Sequence, residues 1–135
     1  MKIIISLNDS INFDEVINIY KANHWSSANK PQQLLDALRN SHALVTARLS
    51  GELVGIGNAI SDGYLVVYYP HMLVHPDHQR KGIGMNMLKA LKLKYTNFHQ
   101  QMITADVNAI EFYKSAGFIR AGKTESMWIY DGDEH

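Results

Sequence analysis

Two glycines and two basic residues follow a polar loop near the middle of the chain, in the order Gln79-Arg80-Lys81-Gly82-Ile83-Gly84. Apolar residues at helical spacing come after them, so the glycines stand at a predicted helix start. Backbone N–H groups at a helix start lack partners within the helix, and the helix dipole favours an anion there. Arg80 and Lys81 add positive charge. The segment therefore predicts a turn that can bind a diphosphate.

Glycines at a helix start also occur in turns of three further kinds. An ordinary strand-to-helix turn can contain them and bind nothing. A P-loop would need GKS or GKT after a first glycine, and the sequence contains neither. A dinucleotide-binding Rossmann motif would need a third glycine, which is missing from residues 82–87. The glycines alone do not separate an ordinary turn from a phosphate site.

The elements that position this turn follow from the apolar periodicity of the chain. Strands are predicted at residues 1–7, 43–49, 53–60, 64–74, 101–104, 118–121 and 126–130. Helices are predicted after a capping box formed by Asn12 and Glu15, from Pro31, from Gly82 to about Lys94, and from Asn108 to Ser115 with Gly117 as its cap. This order predicts one α/β domain with a mostly antiparallel sheet.

Pro70 interrupts the long β-prone run from Tyr64 to Val74. Proline cannot donate a hydrogen bond to a strand ladder, so it occurs in sheets at bulges and edges. We therefore expect a bulge, an edge or a splayed strand at this point.

The composition predicts a single domain over residues 1–135 and a cytoplasmic location. The 135 residues are 46% hydrophobic, and 13 basic residues balance 13 acidic ones. No net charge therefore attracts the chain to nucleic acid or to a membrane surface. No apolar run approaches the ~20 residues that span a bilayer, and residues 1–7 are too short for a signal peptide. The absence of cysteine excludes disulfides, thiolate metal sites and a cysteine nucleophile.

Two segments of the chain match family signatures. Residues 79–84 resemble the Q/R-x-x-G-x-G/A signature of the GNAT (GCN5-related N-acetyltransferase) superfamily, and Met72-Leu73-Val74-His75-Pro76 resembles the strand that precedes it. Residues 106–118 are similar to the second signature, N-x-x-A-x-x-F/L-Y-x-x-x-G-F. The two segments have the expected order and spacing. The resemblance implies an α/β fold with a mixed, mostly antiparallel, splayed sheet of six to seven strands flanked by about four helices.

In this superfamily the diphosphate of acetyl-CoA lies on the backbone amides of the turn. The pantetheine arm pairs with the exposed edge of the strand before the turn, which is the logic of β-augmentation. The resemblance implies acetyl-CoA as co-substrate, no metal, and these cofactor-binding residues: Met72, Leu73, Val74, Gln79, Arg80, Lys81, Gly82, Ile83, Gly84, Met85, Asp106, Asn108 and Tyr113. The signature usually has asparagine at the position of Asp106, so Asn108 is an alternative for that contact.

The resemblance also implies an acetyltransferase in which a primary amine attacks acetyl-CoA directly in a ternary complex. A backbone N–H of Val74 or Met72 would stabilise the oxyanion. Tyr113 takes the position of the general acid that protonates the leaving thiolate or hydrogen-bonds its sulfur. The competing interpretation is that Tyr113 only packs at a helix end beside Phe112 and Phe118.

The sequence does not decide which residue is the general base. Relatives often have a carboxylate or histidine on the strand before the turn, where this chain offers His71 and, as an alternative, Tyr68. His71 has a suitable reference pKa of about 6.5. Strand alternation would direct it away from the amine unless a bulge at Pro70 reverses the parity. Glu52, Asp62 or a water chain are further alternatives.

The sequence also does not decide which amine is the acceptor. The site is expected between the first two helices, at their loop with Trp25, and at the turns near Asp62 and residues 126–130. A small arylalkylamine, a polyamine, and a protein lysine or N-terminus are the alternatives. A non-catalytic acetyl-CoA sensor is the alternative function, although it would not need Tyr113. The resemblance is compatible with a homodimer, which the sequence does not decide.

Overall fold

The computed structural model describes residues 2–133 of the chain. Met1, the first residue of the predicted opening strand, lies outside the described residues together with Glu134 and His135. The strands are β1 (Ile3–Leu7), β2 (Ala43–Leu49), β3 (Glu52–Ser61), β4 (Val66–Tyr68), β5 (Met72–Val74) and β6 (Gln100–Met102). The α-helices are α1 (Phe13–Ala22), α2 (Pro31–Arg39), α3 (Ile83–Lys94) and α4 (Ile110–Ser115). Short 3₁₀ turns occur at Ser26–Asn29, Pro76–His78 and Val107–Ala109.

The six described strands form one open sheet of order β1-β2-β3-β4-β6, and β5 also pairs with β3. Every pair is antiparallel except β4 with β6, which is parallel. The helices α1 and α2 bury their apolar residues against one face of the sheet, and α3 covers the other face. The predicted mixed, mostly antiparallel α/β fold is confirmed.

The predicted starts of α1 and α2 are confirmed in atomic detail, whereas the fourth helix, predicted from Asn108, begins at Ile110 after a 3₁₀ turn. The Asn12 side chain accepts a hydrogen bond from the Glu15 N–H at 3.0 Å, and the Glu15 carboxylate accepts one from the Asn12 N–H at 2.9 Å. Both belong to a capping box, which satisfies two amides that the helix leaves without partners. Helix α2 begins at Pro31 and buries Leu34, Leu35 and Leu38, as the apolar periodicity predicts.

The predicted strand from Tyr64 to Val74 is two strands, separated at Pro70. Tyr68 of β4 pairs with Ile60 of β3, and Met72 of β5 pairs with Gly57. Between these pairs β4 and β5 are joined by three residues, whereas β3 has only two. The extra residue is a β-bulge, so the bulge expected at Pro70 is confirmed.

The two predicted C-terminal strands are wrong. Residues 118–121 and 126–130 form no strand in the part of the chain that the structure describes, and β6 ends the sheet at this side. The backbone bends instead, because Gly122 N–H donates to Arg120 C=O at 2.8 Å and Thr124 N–H to Ala121 C=O at 3.1 Å. Apolar composition indicates a strand only if a partner edge pairs with it, and local sequence does not report that.

Candidate functional site

A gap opens in the sheet between β5 and the chain that follows β6. The parallel pair β4–β6 extends to Tyr68 and Met102, and Tyr69 N–H donates to Met102 C=O at 3.0 Å. Beyond the bulge, β5 pairs with β3 instead. The bulge thus separates two neighbouring strands, and backbone on both sides of the gap becomes accessible to an extended ligand.

Met72 and Val74 direct backbone groups into this gap. On either side of β5, His71 C=O and His75 N–H form hydrogen bonds to β3, at 3.1 and 2.8 Å. Bonded pairs in an antiparallel ladder recur at every second residue, so Leu73 is the bonded residue between them. The N–H and C=O groups of Met72 and Val74 therefore point away from β3. They form an edge to which an extended chain can bind.

The turn before α3 has a backbone suited to an anion. Arg80 and Gly82 have positive φ angles of 63° and 81°, and no side chain caps α3 at Gly82. A Cβ atom on Gly82 would meet nothing within 4 Å, so the space beside the first amides of α3 is open. Arg80 and Lys81 are exposed on the same turn. These features together can hold a diphosphate.

Residues at the start of α3 join the turn to the gap. Ile83 is buried in the core beneath the turn, with 2% of its surface exposed, and Met85 packs against the same core. A Cβ atom on Gly84 would lie 3.6 Å from the Val74 side chain and 3.4 Å from the Phe112 ring. Gly84 therefore allows α3 to lie close to both β5 and α4.

Gln79 links the turn to the edge of β5. Its side-chain Nε2 donates to the Val74 carbonyl at 3.1 Å and to the Asn23 side chain at 3.4 Å. The first bond agrees with a Val74 carbonyl that points away from β3. The glutamine of the signature thus connects the predicted diphosphate turn and the predicted pantetheine edge.

Tyr113 is held at the C-terminal end of α4 by a Schellman motif. Phe118 N–H donates to Tyr113 C=O and Gly117 N–H to Lys114 C=O, each at 3.0 Å. Gly117 has a φ of 99°, which the motif requires. The Tyr113 ring lies 5.0 Å from the Phe112 ring and 5.8 Å from the Phe118 ring, between centroids.

The Tyr113 hydroxyl is a protonated group close to an acidic residue. Desolvation raises the pKa of Tyr113 to about 12, and the charge of Asp106 acts in the same direction. The phenol therefore stays protonated near neutral pH. Tyr113 both packs against two aromatic rings and keeps a proton that it can donate, so packing and an acid role are compatible.

Asp106 and Asn108 lie just before α4 and are both exposed. The Asp106 carbonyl accepts a hydrogen bond from Ala109 N–H at 2.8 Å, which starts the 3₁₀ turn. Both residues thus stand beside the helix that carries Tyr113. The choice between them for the cofactor contact stays a prediction.

His71 lies on the α1 side of the sheet. In a regular strand Tyr69 and His71 would share a face, but Tyr69 is in the core against α3, whereas the His71 ring packs on the opposite side. Its Nδ1 is 2.7 Å from the Tyr20 hydroxyl, and its centroid is 5.0 Å from that of Trp25. The bulge has reversed the side-chain alternation.

The other candidate bases lie elsewhere. The Asp62 carboxylate accepts hydrogen bonds from the N–H groups of Tyr64, Leu65 and Val66. These bonds lower the pKa of Asp62 and commit the carboxylate to its turn. Glu52 begins β3 and pairs with Leu49, at the end of β3 away from the bulge. The structure brings neither carboxylate to the gap.

Two residues of this region were not identified from the sequence. Asn58 is 4% exposed, and its side-chain oxygen accepts from His71 N–H at 3.1 Å, which satisfies an amide at the bulge. The sequence signal that could have identified Asn58 is a polar residue within an apolar strand. Tyr20 is fully buried and holds His71 through its hydroxyl, whereas the sequence shows only a residue on an apolar helix face.

Aromatic side chains surround the α1 side of the gap. Tyr68 is 36% exposed, Trp128 is 52% exposed and Tyr130 is 47% exposed. The Tyr130 hydroxyl lies 2.7 Å from the Ser26 hydroxyl, in the loop that also carries Trp25. This loop therefore contacts residues 126–130, while the acceptor site expected there stays a prediction.

Comparison with known proteins agrees with these features. Residues 12–128 match the family described as "Acetyltransferase (GNAT) domain". The chain is 29% identical over 128 residues to an uncharacterized N-acetyltransferase, ycf52, of Gracilaria tenuistipitata var. liui, covering 88% of this chain and 68% of that protein.

Solved structures show the same fold. A GNAT family acetyltransferase from Streptococcus pneumoniae TIGR4 superposes with a TM-score of 0.83 at 24% identity, covering 97% of this chain and 100% of that one. An aminoglycoside N-acetyltransferase, AAC(6')-Iy, solved in complex with CoA, superposes with a TM-score of 0.71 at 12% identity, covering 97% and 95%. At these identities the likeness concerns the fold. No helix within residues 2–133 is long and apolar enough to cross a membrane.

Proposed function

Because the chain belongs to the GNAT acetyltransferase family, we propose that it transfers the acetyl group of acetyl-CoA to a primary amine by direct attack in a ternary complex. The observation that carries the proposal is the open edge of Met72 and Val74 beside a helix start without a side-chain cap. An extended arm that ends in a diphosphate would satisfy both features at once.

The residues of the gap and the turn fit acetyl-CoA. The amides at the start of α3, with Arg80 and Lys81, would hold the diphosphate. The backbone of Met72 and Val74 would hold the extended arm. Bound in this way, acetyl-CoA supplies an acetyl group activated as a thioester. A backbone N–H of Met72 or Val74 would donate to the carbonyl oxygen that gains negative charge.

Tyr113 is the proposed general acid. Its phenol keeps its proton because burial raises the pKa to about 12. The desolvated phenol can pass its proton to the sulfur of CoA as that sulfur gains negative charge. A hydroxyl in bulk water would not be held in position for this transfer. The aromatic neighbours of Tyr113 hold its ring in one orientation.

His71 is the first candidate for the group that accepts the amine proton, and Tyr68 is the second. A basic His71 requires that its Nδ1–H donates to the Tyr20 oxygen, so that Nε2 carries the lone pair. If the Tyr20 hydroxyl donates to Nδ1 instead, Nε2 carries the proton, and His71 is a hydrogen-bond donor. The pH dependence of turnover in His71→Gln and Tyr68→Phe variants separates these roles.

The acceptor would enter from the α1 side, past Trp25 and Tyr130. Aromatic faces attract cations and pack on aryl groups. They therefore suit an arylalkylamine, a polyamine or a lysine side chain. An acetylation screen over these three classes, and over peptide N-termini, identifies the acceptor.

The proposal is tested by the release of free CoA. The chain has no cysteine, so a thiol reagent reports CoA without background from the enzyme. We expect acetyl-CoA to raise the melting temperature and at least one amine to accelerate thiol release. An unchanged melting temperature at saturating acetyl-CoA contradicts the binding site. If acetyl-CoA stabilises the protein but no amine accelerates thiol release, and if Tyr113→Phe leaves this stabilisation unchanged, the result supports the non-catalytic sensor instead.

A further inference from the structure

The backbone beside the gap changes its hydrogen-bond partner within three residues. Tyr69 N–H donates to Met102 C=O of β6 at 3.0 Å, whereas both backbone groups of His71 are bonded to β3. Pro70 lies between them and has no N–H that needs a partner. His71 is therefore the residue at which the chain leaves β6 and joins β3, and β5 begins at the next residue.

A single residue of β3, Asn58, bonds both backbone groups of His71. The Asn58 N–H donates to the His71 carbonyl at 3.1 Å, and the His71 N–H donates to the Asn58 side-chain oxygen at 3.1 Å. In a regular antiparallel pair a backbone carbonyl would accept the second bond. Because a side-chain oxygen accepts it here, the geometry of the bulge depends on the residue type at position 58.

These two bonds fix the direction of an amide in the gap. A peptide unit is planar and trans, so its C=O and its N–H point in opposite directions. The His71 carbonyl points to β3, and the Met72 N–H of the same peptide unit therefore points into the gap. The second bond holds the preceding peptide unit, between Pro70 and His71. Since both peptide units beside the His71 Cα are held, both backbone dihedrals of His71 are fixed.

The Asn58 side chain is itself held in one orientation. It is 4% exposed, and its Nδ2 donates to the Ser41 hydroxyl at 2.9 Å. The Ser41 hydroxyl donates in turn to the Ala37 carbonyl of α2 at 2.8 Å. Both ends of the buried amide thus have partners, and a buried polar network whose members are satisfied is rigid. Asn58 can therefore impose its position on the bulge.

We infer that Asn58 is a positioning residue of acetyl transfer, which directs the Met72 N–H toward the acetyl carbonyl oxygen. The inference rests on the proposed function. The thioester is at the end of the extended arm that lies away from the diphosphate, so it reaches the bulge end of β5, where Met72 lies, rather than Val74 beside the turn. Asn58 acts through the backbone of His71 and contacts no reacting atom in this role.

Loss of the side-chain oxygen would release the His71 N–H. That amide would either lack a partner or turn toward the β3 backbone, as in a regular ladder. Either change rotates the adjoining peptide unit and moves the Met72 N–H. One oxyanion donor contributes roughly 10²–10³ in rate, and a displacement of about 1 Å can cost roughly 10²-fold. Other residues form the diphosphate turn, so acetyl-CoA binding should change much less.

Three variants of β3 test this role. Asn58→Leu has a similar size and no accepting oxygen, and we expect it to lower kcat at least ~10-fold while the Kd of acetyl-CoA changes less than ~3-fold. Asn58→Asp keeps an accepting oxygen but buries a charge, so it should be less stable than Asn58→Leu and yet retain more turnover. Ile56→Val is the matched control, because Ile56 is fully buried on the same strand and the change affects no hydrogen bond. It should lower the melting temperature and leave kcat within ~2-fold of the wild type.

Thiol release measures kcat, calorimetric titration measures the Kd of acetyl-CoA, and thermal unfolding shows that each variant is folded at the assay temperature. Turnover that falls in step with melting temperature across the three variants overturns the inference, because Asn58 then contributes stability alone. A loss of acetyl-CoA affinity as large as the loss of kcat overturns it as well. A wild type that releases no CoA with any amine overturns the proposed function, and this inference with it. An active wild type with an equally active Asn58→Leu variant overturns only the positioning role.

Discussion

Replacing Tyr113 by phenylalanine removes one hydroxyl group and keeps the ring. The ring contacts with Phe112 and Phe118, at 5.0 and 5.8 Å between centroids, can persist in the variant. The hydroxyl is desolvated, which raises its pKa to about 12. Removing a desolvated hydroxyl costs the fold little. We therefore expect a melting temperature equal to or slightly above that of the wild type.

The effect on turnover should be much larger. A positioned general acid contributes roughly 10²–10⁴ in rate, which corresponds to about 2.7–5.4 kcal/mol of activation free energy. One hydrogen bond to bound acetyl-CoA is worth only about 0.5–1.5 kcal/mol, or at most a ~10-fold change in Kd. Tyr113→Phe should therefore lower kcat far more than it weakens acetyl-CoA binding.

The pH dependence sharpens this prediction. Because the pKa of Tyr113 is raised to about 12, its acid form is fully populated up to well above pH 9. The ratio of wild-type to Tyr113→Phe turnover should therefore stay constant between about pH 6 and pH 9. Any fall in wild-type rate at either end of that range comes from another group, such as the base.

Thiol release at saturating amine measures kcat, and calorimetric titration measures the Kd of acetyl-CoA. Tyr64→Phe is the matched control, because Tyr64 is 89% exposed and loses the same hydroxyl outside the site. A Tyr113→Phe turnover within about 2-fold of the wild type, with Tyr64→Phe equally active, would refute the acid role.

Three predictions on the fold follow from single contacts. Gly57→Ala should lower stability by about 1–3 kcal/mol in denaturant unfolding, because the new Cβ would lie 3.0 Å from a backbone carbonyl of the bulge. Asn12→Ala should lower it by about 1 kcal/mol, and Asn12→Asp, which keeps the accepting oxygen, should lower it less. Hydrogen bonds from Arg48 lower the pKa values of Asp9 and Glu15, so their contribution is present above the unfolded pKa values and is lost as acid protonates them below about pH 4. Arg48→Met removes two partly exposed ion pairs and should reduce stability by about 0.4–2 kcal/mol at pH 7. It should also flatten this acid dependence, and an unchanged acid slope would contradict the prediction.

The site could be predicted from sequence wherever its geometry is local. The helix start at Gly82 and the C-terminal cap at Gly117 involve only a few consecutive residues. Pro70 predicted a bulge, an edge or a splayed strand for the same reason, because its missing N–H affects its own position. Each of these features is specified by residue type and spacing alone.

The general acid and the general base could not be assigned from the sequence in the same way. The side that His71 faces depends on one extra residue in the register between β3 and the strand beside it. Its partner Tyr20 lies 51 positions away. The raised pKa of Tyr113 depends on desolvation by the packed domain and on Asp106. Sequence spacing carries no information on such contacts.

The sequence by itself determined the turn, the interruption of the strand at Pro70, the helix caps and the family resemblance, because these depend on the types and spacing of neighbouring residues. Only the tertiary structure decided that residues 118–121 and 126–130 stay out of the sheet, and that no strand within residues 2–133 pairs with the second edge of β6. Strand formation requires hydrogen-bond partners from a distant part of the chain. Their availability is a property of the packed domain.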